Sequence, residues 1–314
     1  MAFSVKQNVL SCWSVGLKKA LYRSDMIQVK STEIPRSCVS RYDSFPHFIG
    51  DLSDVYRCTM VLKSHGKIEV AIKSLRILDS SEEAIRALRK RIYGEVRVWE
   101  MLHHKNILRF FGTISGFGPL PAFVTPWMER GSLTNYLSLE FLNLLDRDKL
   151  ILLEQITKAI QYLHDKHVIH GNLNGHNILI DSRGNAYVTD FGLSLILAEC
   201  DSLSCEAYYP GSIRWAAPEL VHLTDEEAGK PTTCSDVYSL GSVILQVLSG
   251  KLPYHWLEDP LHIIAARHKG MQPMAVDSSV DRRHVPFLQE CWSRSSDRPT
   301  IDHVLSYVQS ALPP

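Results

Sequence analysis

The spacing of apolar residues changes along this chain. Val55 to Leu62 and Ile68 to Leu75 read as two strands, joined by a turn at Ser64-His65-Gly66-Lys67. The period then becomes helical. Ile85, Leu88, Ile92, Val96 and Trp99 recur at intervals of 3, 4, 4 and 3, one face of a helix running from about Ser81 to Leu102. Ser80 or Ser81 suits the N-cap, and Glu82 and Glu83 fall in the first turn, where acidic groups favour the helix. His104 to Leu108 and Phe110 to Val124 predict two further strands, after which strands give way to helices near residues 126 to 131. Leu150, Leu153, Ile156, Ile160 and Leu163 predict a helix from Asp146 to Asp165, and the almost wholly apolar run from Ser235 to Leu248 predicts a buried one. Between them, His170 to Gly192 reads as loop, strand, turn, strand, loop, with Ile178-Leu179-Ile180 as its first strand and Asp181 to Asn185 as its turn. Residues 1 to about 44 are mixed polar, with one short amphipathic helix available at Val15, Leu17 and Leu21. They predict a weakly structured extension, with a regulatory or docking segment as the alternative.

A length of 314 residues suits one large domain or two lobes, without internal repeats. Lys plus Arg and Asp plus Glu number 34 each, so the overall charge gives no reason to expect nucleic acid or an anionic membrane as partner. The seven cysteines (12, 38, 58, 200, 205, 234 and 291) are odd in number, scattered, and contain no Cys-x-x-Cys pair. That pattern predicts reduced thiols in an intracellular protein. No apolar run approaches the 18 residues of a membrane span, and the first residues carry no secretory pattern. The expectation is a soluble protein of the cytoplasm, with the nucleus as alternative.

Candidate chemistry concentrates in His170 to Gly192. A hairpin there brings Asn177 and Asp190 to one end, where an amide oxygen and a carboxylate suit a hard divalent cation. Magnesium fits such ligands and keeps phosphate oxygens in its shell. His164, His167 and His170 stand three apart, but no carboxylate or cysteine completes a zinc set with them.

These residues, with others in the same order, resemble the protein kinase superfamily. His170-Gly171-Asn172 through Asn177 resembles the catalytic loop, and Asp190-Phe191-Gly192 the metal-binding tripeptide that follows it. Val70-Ala71-Ile72-Lys73 resembles the nucleotide-site strand, and Glu95 the helix glutamate that ion-pairs with its lysine. Glu219 of Ala217-Pro218-Glu219 lies 29 residues beyond Asp190, and this ordered spacing is far more specific than either tripeptide. The wording around Ile213 to Glu219, Cys291-Trp292 and Arg298-Pro299-Thr300 is nearest to the tyrosine-kinase-like group and tyrosine kinases.

The resemblance implies an α+β bilobal fold: an extension over 1–44, and a kinase domain over 45–312 with a β-rich N-lobe at about 45–126 and a helical C-lobe at about 131–312. It implies ATP and Mg2+ as ligands. Gly50, Val55, Ala71, Lys73, Glu95, Thr125 (the gatekeeper position), Met128 (the hinge) and Leu179 would line the nucleotide site. Asn177 and Asp190 would hold the metal, and Lys73, Asp190 and residue 172 would carry the chemistry. Asp236 would hydrogen-bond the catalytic-loop backbone, and Arg298 would pair with Glu219. A protein substrate or signalling partner follows from the same likeness.

The departures are specific. Asn172 stands where the family has its catalytic Asp, and Asn174 where many members have a phosphate-contacting Lys. Of the three loop glycines only Gly50 survives, beside Phe48 and Ser53. Gly171 replaces the Arg that would pair with an activation-segment phosphate, so modification of Ser204, Tyr208 or Tyr209 is not expected to switch the site by that route. A neutral amide cannot take a proton, which leaves three readings: a nucleotide-binding pseudokinase, a slow but real protein kinase, and, least supported, a small-molecule phosphotransferase.

Overall fold

The computed structural model describes residues 33–50, 53–62, 66–77, 81–191, 212–221, 229–276 and 278–312, but not the side chains of residues 62, 91 and 95. The first part is an antiparallel sheet of six strands: β1 (Val39–Arg41), β2 (Phe48–Ile49), β3 (Ser53–Leu62), β4 (Gly66–Leu75), β5 (Gly112–Ile114) and β6 (Ala122–Pro126). Their order is β1-β3-β4-β6-β5, with β2 paired to the start of β3. Helix α1 (Glu82–Met101) crosses between β4 and β5. Ser81 is its N-cap, accepting from the Ala84 amide at 3.3 Å, while the other candidate, Ser80, lies outside the described residues. The helical part follows: α2 (Leu133–Glu140), α3 (Asp146–Asp165), a small hairpin of β7 (Ile178–Ile180) and β8 (Ala186–Val188), then α4 (Thr233–Ser249), α5 (Pro260–His268), α6 (Val285–Cys291) and α7 (Ile301–Ala311). The fold is α+β with a β-rich and a helical lobe, and strands give way to helices after β6. No helix among the described residues is long and apolar enough to cross a membrane.

Alternation along β4 gives the sheet two different faces. Val70 and Ile72 are fully buried on one face, with Val39, Cys58, Met60, Ile114, Phe117 and Val124. Ala71 and Lys73 point to the other face, toward the helical lobe. The outer face also needs Ile34, whose amide donates to the Thr113 carbonyl at 2.8 Å, and Val39 from β1. Residues 33–41 are therefore tied to the sheet, through a bridge at Glu33 and strand β1 on either side of a 3-10 turn at Arg36–Cys38, earlier than the boundary expected near residue 45. Arg41 fastens this strap from the side, its guanidinium 4.5 Å from the Tyr56 ring centroid and 4.4 Å from that of Phe117. Residues 1–32, with the helix expected at Val15 to Leu21, lie outside the described residues.

One expected strand does not form. His104 to Leu108 is a turn with a single bridge, Ile107 to Val188, and Trp99 caps it by donating its indole N–H to the Leu108 carbonyl at 3.0 Å. The apolar stretch from Phe110 to Val124 divides into β5 and β6, because Gly116, Gly118, Pro119 and Pro121 interrupt it. The other core runs through the helical lobe, centred on α3 and α4, and reaches up to Ile92, Val96, Trp99 and Phe123. It joins the two lobes beneath α1.

Candidate functional site

Strand register places the upper wall. Lys73 lies opposite Val55 on β3 and Phe123 on β6, and Ala71 lies opposite Thr125. Directly opposed residues share a face of a sheet, as do residues two apart. Val55, Ala71, Lys73 and Thr125 therefore stand on one surface, above the helical lobe. Gly50 lies in the turn between β2 and β3, its amide donating to the Ser53 carbonyl at 2.8 Å, but Asp51 and Leu52 are outside the described residues.

The connector supplies the back and the floor. After Pro126, the Met128 carbonyl accepts from the Gly131 amide at 3.1 Å, closing a turn in which Gly131 has φ 68°. Glycine reaches that left-handed conformation without a Cβ penalty. Gly131 in turn accepts from the Ile180 amide at 2.8 Å, and the Arg130 amide donates to the Ile180 carbonyl at 3.2 Å. These bonds hold β7 under the connector, so that Met128 and Leu179 both sit half-buried against the main core.

Below is the polar loop. Asp236, near the start of α4 and 2% exposed, accepts from the His170 amide at 2.8 Å, the Gly171 amide at 2.9 Å and His164 Nε2 at 2.9 Å. The expected role of Asp236 is observed directly. A carboxylate with three donors is satisfied in a dry interior. Gly171 has φ 75°, again a position glycine fills at least cost. His170 is completely buried and packs at 6.4 Å from Phe191, its imidazole held below the usual pKa chiefly by burial. Phe191 meets Trp99 edge-on at 5.3 Å, and Trp99 stacks on Phe110 at 4.9 Å, so a column of rings runs from the loop to α1. His164 is thus committed to Asp236, and His170 Nδ1 accepts from the Asn172 amide at 3.3 Å while its Nε2 is buried without a hydrogen-bond partner among the described residues, where no three His, Cys, Asp or Glu side chains gather as a metal site.

The asparagines form a linked set. The Asn172 carbonyl accepts from the side-chain Nδ2 of both Asn174 and Asn177, each at 2.9 Å. Asn174 is 2% exposed, and its Oδ1 accepts the amides of His176 at 2.8 Å and Asn177 at 3.2 Å. Asn174 therefore staples the loop and does not extend toward the cleft as a lysine would. Asn177 has Nδ2 committed and an Oδ1 with no hydrogen bond among the described residues, and its backbone carbonyl accepts from the Thr189 amide at 3.0 Å. That bond extends the β7–β8 ladder by one step and brings Asn177 and Asp190 to the same end of the hairpin.

At the other end of the hairpin, Asp181 ties the turn, accepting from the amides of Asn185 at 2.8 Å and Arg183 at 2.9 Å. Burial alone would raise its pKa. The donors from Asn185, Arg183 and Tyr187 outweigh burial and hold the carboxyl below its usual range.

Asp190 has φ 60°, which an aspartate tolerates better than most residues. Its Oδ2 accepts from Lys73 Nζ at 2.5 Å, joining the sheet to the loop across the cleft. The expected partner of Lys73 was Glu95. The backbone of Glu95 is in α1, but its side chain lies outside the described residues, as do Gly192 and the stretch containing Ser204, Tyr208 and Tyr209. The late pair forms as expected. Arg298 grips Glu219 bidentately, Nη1 to Oε1 at 2.5 Å and Nη2 to Oε2 at 2.8 Å.

The residues present fit a nucleotide with its metal on chemical grounds. Magnesium is typically held by one or two protein oxygens, with phosphate and water completing the shell. Asn177 Oδ1 and the Asp190 carboxylate are such a pair, and Lys73 is the cation beside them. The bond network of Asn174 was not legible from sequence, where it registered only as a missing lysine. The signal available was Asn at both 172 and 174, a spacing at which short amides bond each other and nearby backbone.

Residues 49–308 match the model of the protein tyrosine and serine/threonine kinase family. The chain is similar to mitogen-activated protein kinase kinase kinase 1 of Arabidopsis thaliana, 31% identical over 250 residues, which cover 77% of this chain and 38% of that protein. It is similar to the serine/threonine-protein kinase STY46 of the same plant, 29% identical over 267 residues (83% and 42%). It is also 28% identical over 243 residues (76% and 60%) to the serine/threonine/tyrosine-protein kinase HT1. The matched region spans less than two thirds of each of these relatives. Since the family match covers strands β3 to β6, the connector, the polar loop and the Glu219–Arg298 pair together, this chain belongs to the protein kinase family.

Proposed function

We propose that this protein is a nucleotide-binding, kinase-like signalling protein of the cytoplasm, in which phosphate transfer is weak or absent. Lys73, Asp190 and Asn177 hold Mg·ATP, with Gly50, Val55, Ala71, Thr125, Met128 and Leu179 around the nucleotide and Glu95 supporting Lys73. The protein signals to a protein partner by its shape. Its affinity within the family is for the tyrosine-kinase-like group.

One observation carries the reading: a fully organised loop, with Asp236 bonded to two of its amides, presents an amide at residue 172. Phosphoryl transfer depends mainly on position and charge neutralisation, and the groups for those are present. What Asn172 withholds is an acceptor for the hydroxyl proton. Magnesium, when bound, would neutralise charge on the phosphates.

The test is thermal stability with and without Mg·ATP. A ligand at 100 times its Kd, binding only the folded state, adds about 2.7 kcal/mol. That shift is expected in the native chain and absent in Lys73→Ala and Asp190→Ala. No shift in the native chain would leave a kinase-shaped scaffold, and substrate phosphorylation at family-typical rates, abolished by Asp190→Ala, would make it an active enzyme.

A further inference from the structure

The amide of Asn172 has a definite direction. Asn174 Oδ1 is occupied by two backbone amides, of His176 and Asn177, so the other end of that side chain, Nδ2, must face Asn172. There it donates to the Asn172 carbonyl at 2.9 Å and to Asn172 Oδ1 at 3.2 Å. Reversing Asn174 would set its NH2 against two N–H donors. Reversing Asn172 would set NH2 against NH2. Both rotations are disfavoured by the same chain of bonds, so Asn172 keeps its oxygen turned inward and its Nδ2 outward. Asn172 Nδ2 makes no hydrogen bond among the described residues, and it is not among the buried side-chain atoms that lack a partner. It is an accessible donor on the loop whose next functional side chain is Asn177.

We infer that Asn174 is a positioning residue that makes Asn172 a hydrogen-bond donor to the terminal phosphate of bound ATP, so that the loop retains the triphosphate instead of activating a hydroxyl. This rests on the nucleotide-binding reading above and adds to it a preference for ATP over ADP. At residue 172 an ionised carboxylate repels a phosphate oxygen, whereas an amide N–H attracts one. The donors at this end of the cleft are then Lys73 Nζ on the sheet side and Asn172 Nδ2 on the loop side. A hydrogen bond to a charged acceptor changes affinity by about tenfold or more.

The experiment measures Kd for Mg·ATP and for Mg·ADP in the full chain and in Asn172→Ala, Asn174→Ala and the double variant. The native chain is expected to prefer ATP by about tenfold. Asn172→Ala should abolish the preference by weakening ATP alone, leaving ADP unchanged. Asn174→Ala should reduce the preference in the native background and have no effect on it once Asn172 is Ala. A merely structural staple would instead weaken both nucleotides, equally in both backgrounds. Should Asn174→Ala fail to fold, Asn174→Asp keeps the two acceptor bonds to His176 and Asn177 while losing the donor, and it is read in the same cycle. Equal affinity for the two nucleotides in the native chain, or an Asn174 effect that persists without Asn172, overturns the inference while nucleotide binding stands. Failure to bind either nucleotide removes the nucleotide reading itself, and this inference with it.

Discussion

Asn172→Asp raises phosphate transfer to protein hydroxyls by about 10²–10⁴-fold, the usual worth of a positioned acid or base. The loop needs no rebuilding to receive the carboxylate. Its backbone is fixed by Asp236 through the amides of His170 and Gly171, and by Asn174 and Asn177 through the Asn172 carbonyl. None of these bonds involves the atom that changes. Asn174 Nδ2, which now reaches Asn172 Oδ1 at 3.2 Å, would donate to the new carboxylate and favour its ionised form. The measurement is transfer of labelled γ-phosphate to a mixed Ser, Thr and Tyr peptide pool, with Asn172→Asp/Asp190→Ala as the control that must lose the gain. An unchanged rate in Asn172→Asp would place the defect elsewhere, first at Phe48 and Ser53, where side chains replace the glycines that let backbone approach phosphate. Under the donor role inferred for Asn172, the same change should weaken ATP binding as it accelerates transfer. The two effects together identify residue 172 as the point where retention and transfer diverge.

The parts of the fold that were legible in sequence are those where a local period and a tertiary demand agree. Ile92, Val96 and Trp99 are spaced for one helix face, and that face is buried under the sheet. Asp146 to Asp165 forms as the pattern predicts, because its apolar stripe meets the main core along its length. Residues 33–41 were not legible, since Ile34 and Val39 are isolated apolar residues in a polar stretch and their burial depends on the distant strands β3 and β5. His104 to Leu108 failed for the opposite reason, since it has a strand's composition but only one bridge to pair with. At the site, residue identity singled out Lys73, Asn177, Asp190 and Asp236 through their resemblance to the family's motifs. The observed partner of Lys73, Asp190, is a contact across 117 positions that no spacing announces. The direction of the Asn172 amide was equally hidden, because it follows from which backbone amides Asn174 has already taken.

Breaking the Glu219–Arg298 pair and removing Arg267, both in the helical lobe, should change stability with opposite signs. Arg298 and Arg267 lie over neighbouring tyrosines, Arg298 at 5.1 Å from the Tyr238 ring and Arg267 at 5.1 Å from that of Tyr254, and the two hydroxyls are 3.3 Å apart. Their side-chain surroundings differ. Arg298 has Glu219 in a bidentate grip and also donates to the carbonyls of Cys234 and Ser293, both at 3.0 Å. Arg267, 6% exposed, has Nε, Nη1 and Nη2 all buried without a hydrogen-bond partner among the described residues. Its charge also helps to depress the pKa of Arg214, after the larger effect of burial. Removing one member of a buried pair typically costs about 3–5 kcal/mol, because the other charge is stranded. Glu219 is 31% exposed and Arg298 keeps two carbonyls, so Glu219→Ala belongs at the low end, about 3 kcal/mol. Arg267→Met removes an uncompensated charge whose desolvation costs several kcal/mol, against at most about 2 kcal/mol from the ring. It should stabilise by about 1–3 kcal/mol. For a domain of this size each kcal/mol moves Tm by about 2–4 °C, so calorimetry separates a fall in Glu219→Ala from a rise in Arg267→Met. A fall in Arg267→Met would mean that the guanidinium is compensated in the native protein, and the ring stacking on Tyr254 would then be only part of what holds it.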